Sequence, residues 1–202
     1  MKRPSSLFSL LGPLAGAAAL FVASVAYAGP ATDLVKSKQA ALFELLQSQN
    51  PDESKITAIF DEMLDYSTLA QNSMGDQWGK LTDAQKKEFT GLLKQLVQQA
   101  YEKNLRNTLS YDISYVSEEA ADGGMKVDTK ATSKNDKRED PIEISYTLKK
   151  GDSGSNFKVV DITTDDVSLV SSYRGQFVKT MNSDGYDGLK KKMKDKLNNK
   201  GS

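Results

Sequence analysis

The 202-residue chain contains no cysteine and no histidine. Without cysteine no disulfide can form, and stability has to come from packing alone. Without histidine a serine nucleophile lacks its normal base. The run Gly151-Asp152-Ser153-Gly154-Ser155 looks like the nucleophile loop of trypsin-like proteases, but it is read as a hairpin turn, where Gly, Asp and Ser are expected for backbone reasons. The two absences together also remove most zinc and thiol sites. Asp161, Asp165 and Asp166 lie close in sequence without the ligand spacing or glycine of a calcium loop, and are read as solvated strand-end carboxylates. An acid/base carboxylate pair need not be adjacent, and nothing in the sequence favours one. A surplus of positive charge is missing as well: 27 basic residues stand against 27 acidic ones, which argues against nucleic acid as a partner.

Long apolar runs are also lacking. Leu14 to Val25 is mostly apolar and uncharged, but it falls short of the about 20 residues a good bilayer span needs. Lys2 and Arg3 precede it, and Ala26-Tyr27-Ala28 is a small-x-small cleavage site, so residues 1–28 read as a signal peptide. No cysteine follows that site to carry a lipid anchor. The mature chain is expected to be exported, soluble and unanchored, with two more acids than bases once Lys2 and Arg3 are removed. Residues 29–202 suffice for a single domain with a sizeable core.

The mature chain divides by hydrophobic period. Leu34, Val35, Leu42, Leu45 and Leu46 recur at helical spacing between Asp33 and Gln49, and Pro51-Asp52 interrupts them. A second helix carries Ile56, Ile59, Phe60, Met63 and Leu64, and a shorter one from Asp65 ends around Gly75. Thr82 and Gln85 fit a capping box at the head of the longest helix, whose buried face includes Phe89, Leu92, Leu93, Leu96, Val97, Ala100, Tyr101 and Leu105. After Leu109 the period becomes two: Tyr111, Ile113 and Tyr115, then Met125, Val127 and Thr129, then Ile142, Ile144, Tyr146 and Leu148. Asp122-Gly123-Gly124 signals a tight turn. With the strand Phe157 to Thr163 these make four meandering antiparallel strands with one polar face. Beyond them Val167, Val170, Tyr173, Phe177 and Met181 form one helical stripe, Asn182 to Gly185 breaks it, and a short helix begins near Tyr186. Lys190, Lys191, Lys192, Lys194, Lys196 and Lys200 make that last helix basic: a solvated end complementing the helix dipole, or a contact for anionic headgroups or an acidic patch.

The order strand, Val167-Ser168-Leu169-Val170, Tyr173-Arg174, Gln176-Phe177 and Gly185-Tyr186-Asp187-Gly188-Leu189 resembles the C-terminal half of the MlaC family. These periplasmic phospholipid-binding proteins, also called the toluene-tolerance auxiliary family, serve an ABC-type lipid transport system. The likeness runs from Ile56 to Leu197. It includes Phe60-Asp61-Glu62 with Asp65-Tyr66-Ser67-Thr68-Leu69-Ala70, Met74-Gly75-Asp76-Gln77-Trp78, the helix start Leu81 to Phe89, Tyr101, and Phe157-Lys158-Val159-Val160-Asp161. Phe157 replaces the usual Trp, and Asp166 stands where Gly is common.

The resemblance implies an α+β fold: a twisted antiparallel sheet of about four strands wrapped by N-terminal and C-terminal helices, with an apolar cavity between sheet and helices. It implies a phospholipid carrier in the periplasm, with no catalysis and no cofactor. Its partners would be an inner-membrane ABC transporter complex with an MCE-domain protein and an outer-membrane lipoprotein complex. Tail-lining residues would be Leu92, Leu96 and Tyr101 on the long helix, and Ile113, Val127, Ile144, Tyr146 and Leu148 on the sheet. Val170, Tyr173 and Phe177 would add the C-terminal helix, with Arg174 at the mouth for the headgroup or else paired to Asp161 or Asp165. Amphipathic patterning alone shows burial and never a cavity. Two other readings therefore stand beside the carrier: a small-substrate enzyme on a cone-shaped α+β fold, and an adaptor with a filled core.

Overall fold

The change of period after Leu109 marks the boundary between two layers, helices before it and strands after it. The structure is a computed structural model that describes residues 29–151 and 156–199, with the side chains of 101–108 left undescribed. The signal-peptide reading of 1–28, loop residues 152–155, Lys200 and the side chain of Tyr101 therefore lie outside the described residues. The helical layer comprises α1 (Pro30–Gln47), α2 (Glu53–Met63), α3 (Tyr66–Met74), a 3-10 turn (Gly75–Lys80) and α4 (Asp83–Thr108). The strands are β1 (Tyr111–Ala121), β2 (Gly124–Ser133), β3 (Ile142–Lys150), β4 (Phe157–Thr164) and β5 (Val167–Ser168), followed by α5 (Leu169–Asn198). The sheet is an antiparallel meander in the order β1-β2-β3-β4-β5, one two-residue strand more than the period-two runs show.

Local signals explain most boundaries. Thr82 N donates to Gln85 Oε1 at 2.9 Å and Gln85 N donates to Thr82 Oγ1 at 3.2 Å, the reciprocal capping box expected at the start of α4. Asp122 and Gly123 both adopt positive φ (45° and 74°), the type I′ geometry that matches the twist of a two-residue hairpin. The Asn182 to Gly185 break is a kink inside α5 at Gly185 (φ 66°, ψ −170°), a conformation only glycine takes without strain. At the end of α3, Gly75 sits at φ 52° with the Arg174 side chain 3.6 Å from where a Cβ would stand.

Asp65 locks the α2–α3 junction onto the sheet. Its carboxylate accepts from Thr68 N at 2.9 Å as the cap of α3, and its own N–H donates to Val159 O at 3.0 Å.

Two expectations are corrected. Val167 is not on the inward stripe of a helix. It lies in β5, 62% exposed, because Ser168 caps α5 and the helix begins only at Leu169. Asp161 is not a solvated strand end: it accepts from Ile162 N (2.8 Å), Val170 N (3.1 Å) and Ser168 Oγ (2.6 Å), tying β4 to the first turn of α5. The turn between them, Asp165-Asp166, holds both residues at positive φ (46° and 64°). Asp-Gly is the favoured pair for such a turn. Asp166→Gly is therefore expected to raise Tm by about 2 °C, for a gain of roughly 0.5–1 kcal/mol. An unchanged or lower Tm in a thermal melt would show that the turn is not strained.

Candidate functional site

Cross-strand neighbours share a face, so register decides what the sheet presents to the helices. One inward row runs Glu118, Val127, Tyr146, Ile162, and the next Tyr115, Thr129, Ile144, Thr164. A third holds Ile113, Ala131 and Ile142, and a fourth Met125, Leu148 and Val159.

Helix α1 closes the β1–β2 side of these rows. Glu118 Oε2 accepts from Thr32 N at 2.8 Å, placing a carboxylate at the positive N-terminus of α1. Gln39 donates to the Tyr146 hydroxyl at 2.7 Å and accepts from that of Tyr115 at 2.5 Å, so both polar tips are satisfied beneath the helix. Val127, Tyr146 and Leu148 are at most 2% exposed here.

The β4 ends of the same rows are less tightly closed. Ile162 and Thr164 face an apolar hollow of about 190 Å³ whose other walls are Val97 and Ala100 of α4, Val167 of β5, and Leu169 and Ser172 of α5. Among the described residues no titratable side chain lines it. The hollow lies between sheet and helices, where the resemblance implies a cavity, and is about large enough for a benzene-sized group of some six carbons.

One turn further along α5 the same seam holds a second hollow of about 90 Å³, between Leu96, Tyr173, Phe177 and Met193. Aromatic contacts rigidify this stretch. Tyr173 stacks on Phe177 at 5.1 Å between centroids, Phe89 meets Phe177 edge-on at 5.3 Å, and Trp78 meets Phe89 at 6.3 Å. Burial pushes the Tyr173 hydroxyl above the ordinary tyrosine range, so it stays neutral.

The half of α5 beyond Gly185 folds back over this seam. Leu189 and Met193 are buried. Tyr186 donates to Gln85 O (3.0 Å) and Glu88 (3.2 Å), and Lys190 and Lys194 approach Glu88 at 3.8 and 3.7 Å. Burial and then the Glu88 carboxylate hold the Tyr186 phenol above its usual value. Among the described residues, Glu88 is the acidic side chain of α4 that latches this segment.

The sequence-derived residues thus separate into groups. Leu92, Leu96, Val170, Tyr173 and Phe177 are buried on α4 and α5, three of them walling the second hollow. Ile144 is half-buried one strand from Thr164, and Ile113 is half-buried in the row beyond. Val127, Tyr146 and Leu148 lie in the well-packed region under α1. Arg174 is two residues, about 200°, round α5 from Ser172. It therefore faces α3 rather than α4, and its Nε donates to Asn72 O at 2.8 Å instead of pairing with Asp161 or Asp165.

None of the residues walling the first hollow was among the expected tail-lining residues: Val97, Ala100, Ile162, Thr164, Val167, Leu169 and Ser172 were all passed over in that role. The available signal was small size: alanine at 100 and serine at 172 both wall this seam.

Two roomier clefts lie elsewhere. One, about 600 Å³ between the 3-10 turn and α5, is walled by Asp76, Arg174 and Lys179. Another, about 670 Å³ beside the start of α1, carries Asp33, Lys38, Glu62 and Lys158. Charged walls suit neither to hydrocarbon.

Three comparisons bear on this geometry. The family model described as MlaC protein matches residues 34–195. A solved structure of the phospholipid-binding protein from Ralstonia solanacearum, in complex with a phospholipid, superposes with a TM-score of 0.69 at 21% identity. The superposition covers 84% of this chain and 98% of that one, a likeness of fold. No curated protein matches by sequence.

Proposed function

The chain belongs to the MlaC family, and on that premise we propose that it is a soluble periplasmic phospholipid carrier whose acyl chains enter the seam between α4 and α5. The observation that carries this reading is the apolar hollow at the β4 end of the inward rows, walled on every described side by uncharged residues. Further support comes from the fold shared with a protein solved with phospholipid bound. No helix among the described residues is long and apolar enough to cross a membrane.

Moving a methylene from hydrocarbon to water costs about 0.8 kcal/mol, so a two-chain lipid does not cross an aqueous compartment unaided. A carrier has to offer an interior nearly as dry as the bilayer, which makes exchange close to neutral and reversible. A hollow of 190 Å³ takes only the end of one tail. Full loading therefore requires α4 and α5 to part, and the described covering segment is the one hinged at Gly185 and held by Glu88. The partners would be an inner-membrane ABC transporter complex carrying an MCE-domain protein and an outer-membrane lipoprotein complex, each receiving or supplying one lipid at a time. A hydrolytic or isomerising enzyme would need titratable groups converging on the hollow, and the described lining carries none.

Transfer between membranes tests this. Mature protein incubated with vesicles containing a fluorescent phospholipid, then separated and mixed with acceptor vesicles, is expected to deliver label in proportion to protein. Label that never leaves the donor vesicles contradicts the carrier reading.

A further inference from the structure

Resting on the carrier reading, we propose that Lys192 and Lys196 hold the phosphate of the bound phospholipid, at the mouth of the second hollow beside Tyr173. This hollow is amphipathic. Its floor is Leu96, Tyr173, Phe177 and Met193, all buried, while Lys192 and Lys196 stand exposed at its rim.

Lys196 differs from the other described lysines beyond Gly185. Lys190 is committed to Asp187 (3.2 Å) and Glu88, Lys191 to Asp195 (2.8 Å), and Lys194 to Glu88. Lys196 has no carboxylate partner among the described residues and lies 5.7 Å from the centroid of the Tyr173 ring. Lys192 pairs with Asp184 at 2.6 Å, an exposed contact that an incoming anion can displace at little cost. Thr180 and Gln176 also line this hollow, and the Gln176 amide, which donates to Ser172 O at 3.3 Å, keeps a second N–H for a phosphate oxygen.

Position along the seam fits one molecule. Ser172 lines the uncharged hollow and Gln176 the basic-rimmed one, a single helical turn apart, with adjacent Val97 and Leu96 facing them from α4. A phosphate at the lysines leaves the glycerol over Tyr173 and directs the tails toward Leu169 and Ile162. The anion stays in water at the rim, which avoids the cost of burying it without partners. Arg174 lies on the opposite flank with its Nε engaged by Asn72, so it does not share this site.

The test is a loading competition. Mature protein is offered vesicles containing equal amounts of phosphatidylglycerol and of diacylglycerol with identical tails, and the ratio of the two bound lipids is read by native mass spectrometry. Wild type is expected to favour phosphatidylglycerol about five- to tenfold. In Lys192→Gln/Lys196→Gln the ratio is expected to fall toward one, and in Arg174→Gln to stay at the wild-type value. An unchanged ratio in the lysine double variant, or a fall in Arg174→Gln, overturns the proposal. Millimolar inorganic phosphate is expected not to compete, since it gains nothing from the tail hollow. Competition by phosphate would make this a free-anion site and overturn the assignment to lipid. If wild type loads neither lipid, the carrier reading itself fails and the proposal with it, whereas equal loading of both by wild type sinks the lysine assignment alone.

Discussion

Ala100→Trp is expected to leave the protein folded and to lower its phospholipid occupancy at least about tenfold. Ala100 is exposed at the edge of the hollow, so an indole placed there replaces no buried neighbour and needs no repacking of the core. It would instead fill space otherwise open to hydrocarbon. Excluding about six tail carbons forfeits roughly 5 kcal/mol at 0.8 kcal/mol per methylene, of which partial re-routing of the tail recovers some. Occupancy is read by native mass spectrometry of the purified variant, beside a thermal melt within a few degrees of wild type. Full occupancy in a folded variant would mean that the tails lie elsewhere.

Val127→Asp should act on stability instead. Val127 is 0% exposed, in the row between Glu118 and Tyr146 on the face that α1 covers. A carboxylate there loses its water, gains no described cation, and faces a second carboxylate across the strand pair. The cost, about 4–5 kcal/mol, is a large part of the stability typical of a domain. A fall in Tm of about 10–20 °C, or failure to fold, is expected from circular-dichroism melts. A Tm within about 3 °C of wild type would show that this end of the sheet is not closed as described.

Periodicity carried much of the fold. The switch from helical to alternating spacing after Leu109, the Thr82–Gln85 pair, Asp122-Gly123 and the break at Gly185 each correspond to a described feature, because each is a local backbone requirement. Elements set by tertiary context were less legible. Val167 fits the helical stripe that follows it, yet the β4–β5 turn and the Ser168 cap hold it in a strand. Asp161 reads like any solvated acid near the end of a strand, yet it lies within β4, and the return of α5 brings the Val170 N–H and the Ser168 hydroxyl to it. The site suffered most. Patterning marks which residues face inward, but a hollow is the difference between the volume the elements enclose and the volume their side chains fill. Val127 and Ile162 share one inward row, yet the first is packed under α1 while the second lines open space. The flank taken by Arg174 likewise depends on where α3 and α4 sit about α5.

The central claim is that lipid tails occupy the seam between α4 and α5 at the β4 end of the sheet, and photo-crosslinking tests it most directly. A phospholipid with a diazirine near the end of one acyl chain is loaded, irradiated, and its adducts mapped by peptide mass spectrometry. Adducts are expected on the segments holding Val97 and Ala100, Ile162 and Thr164, and Leu169 and Ser172. Adducts confined to the polar outer face of the sheet around Lys126 and Lys130, or to the cleft beside Asp76, would contradict it.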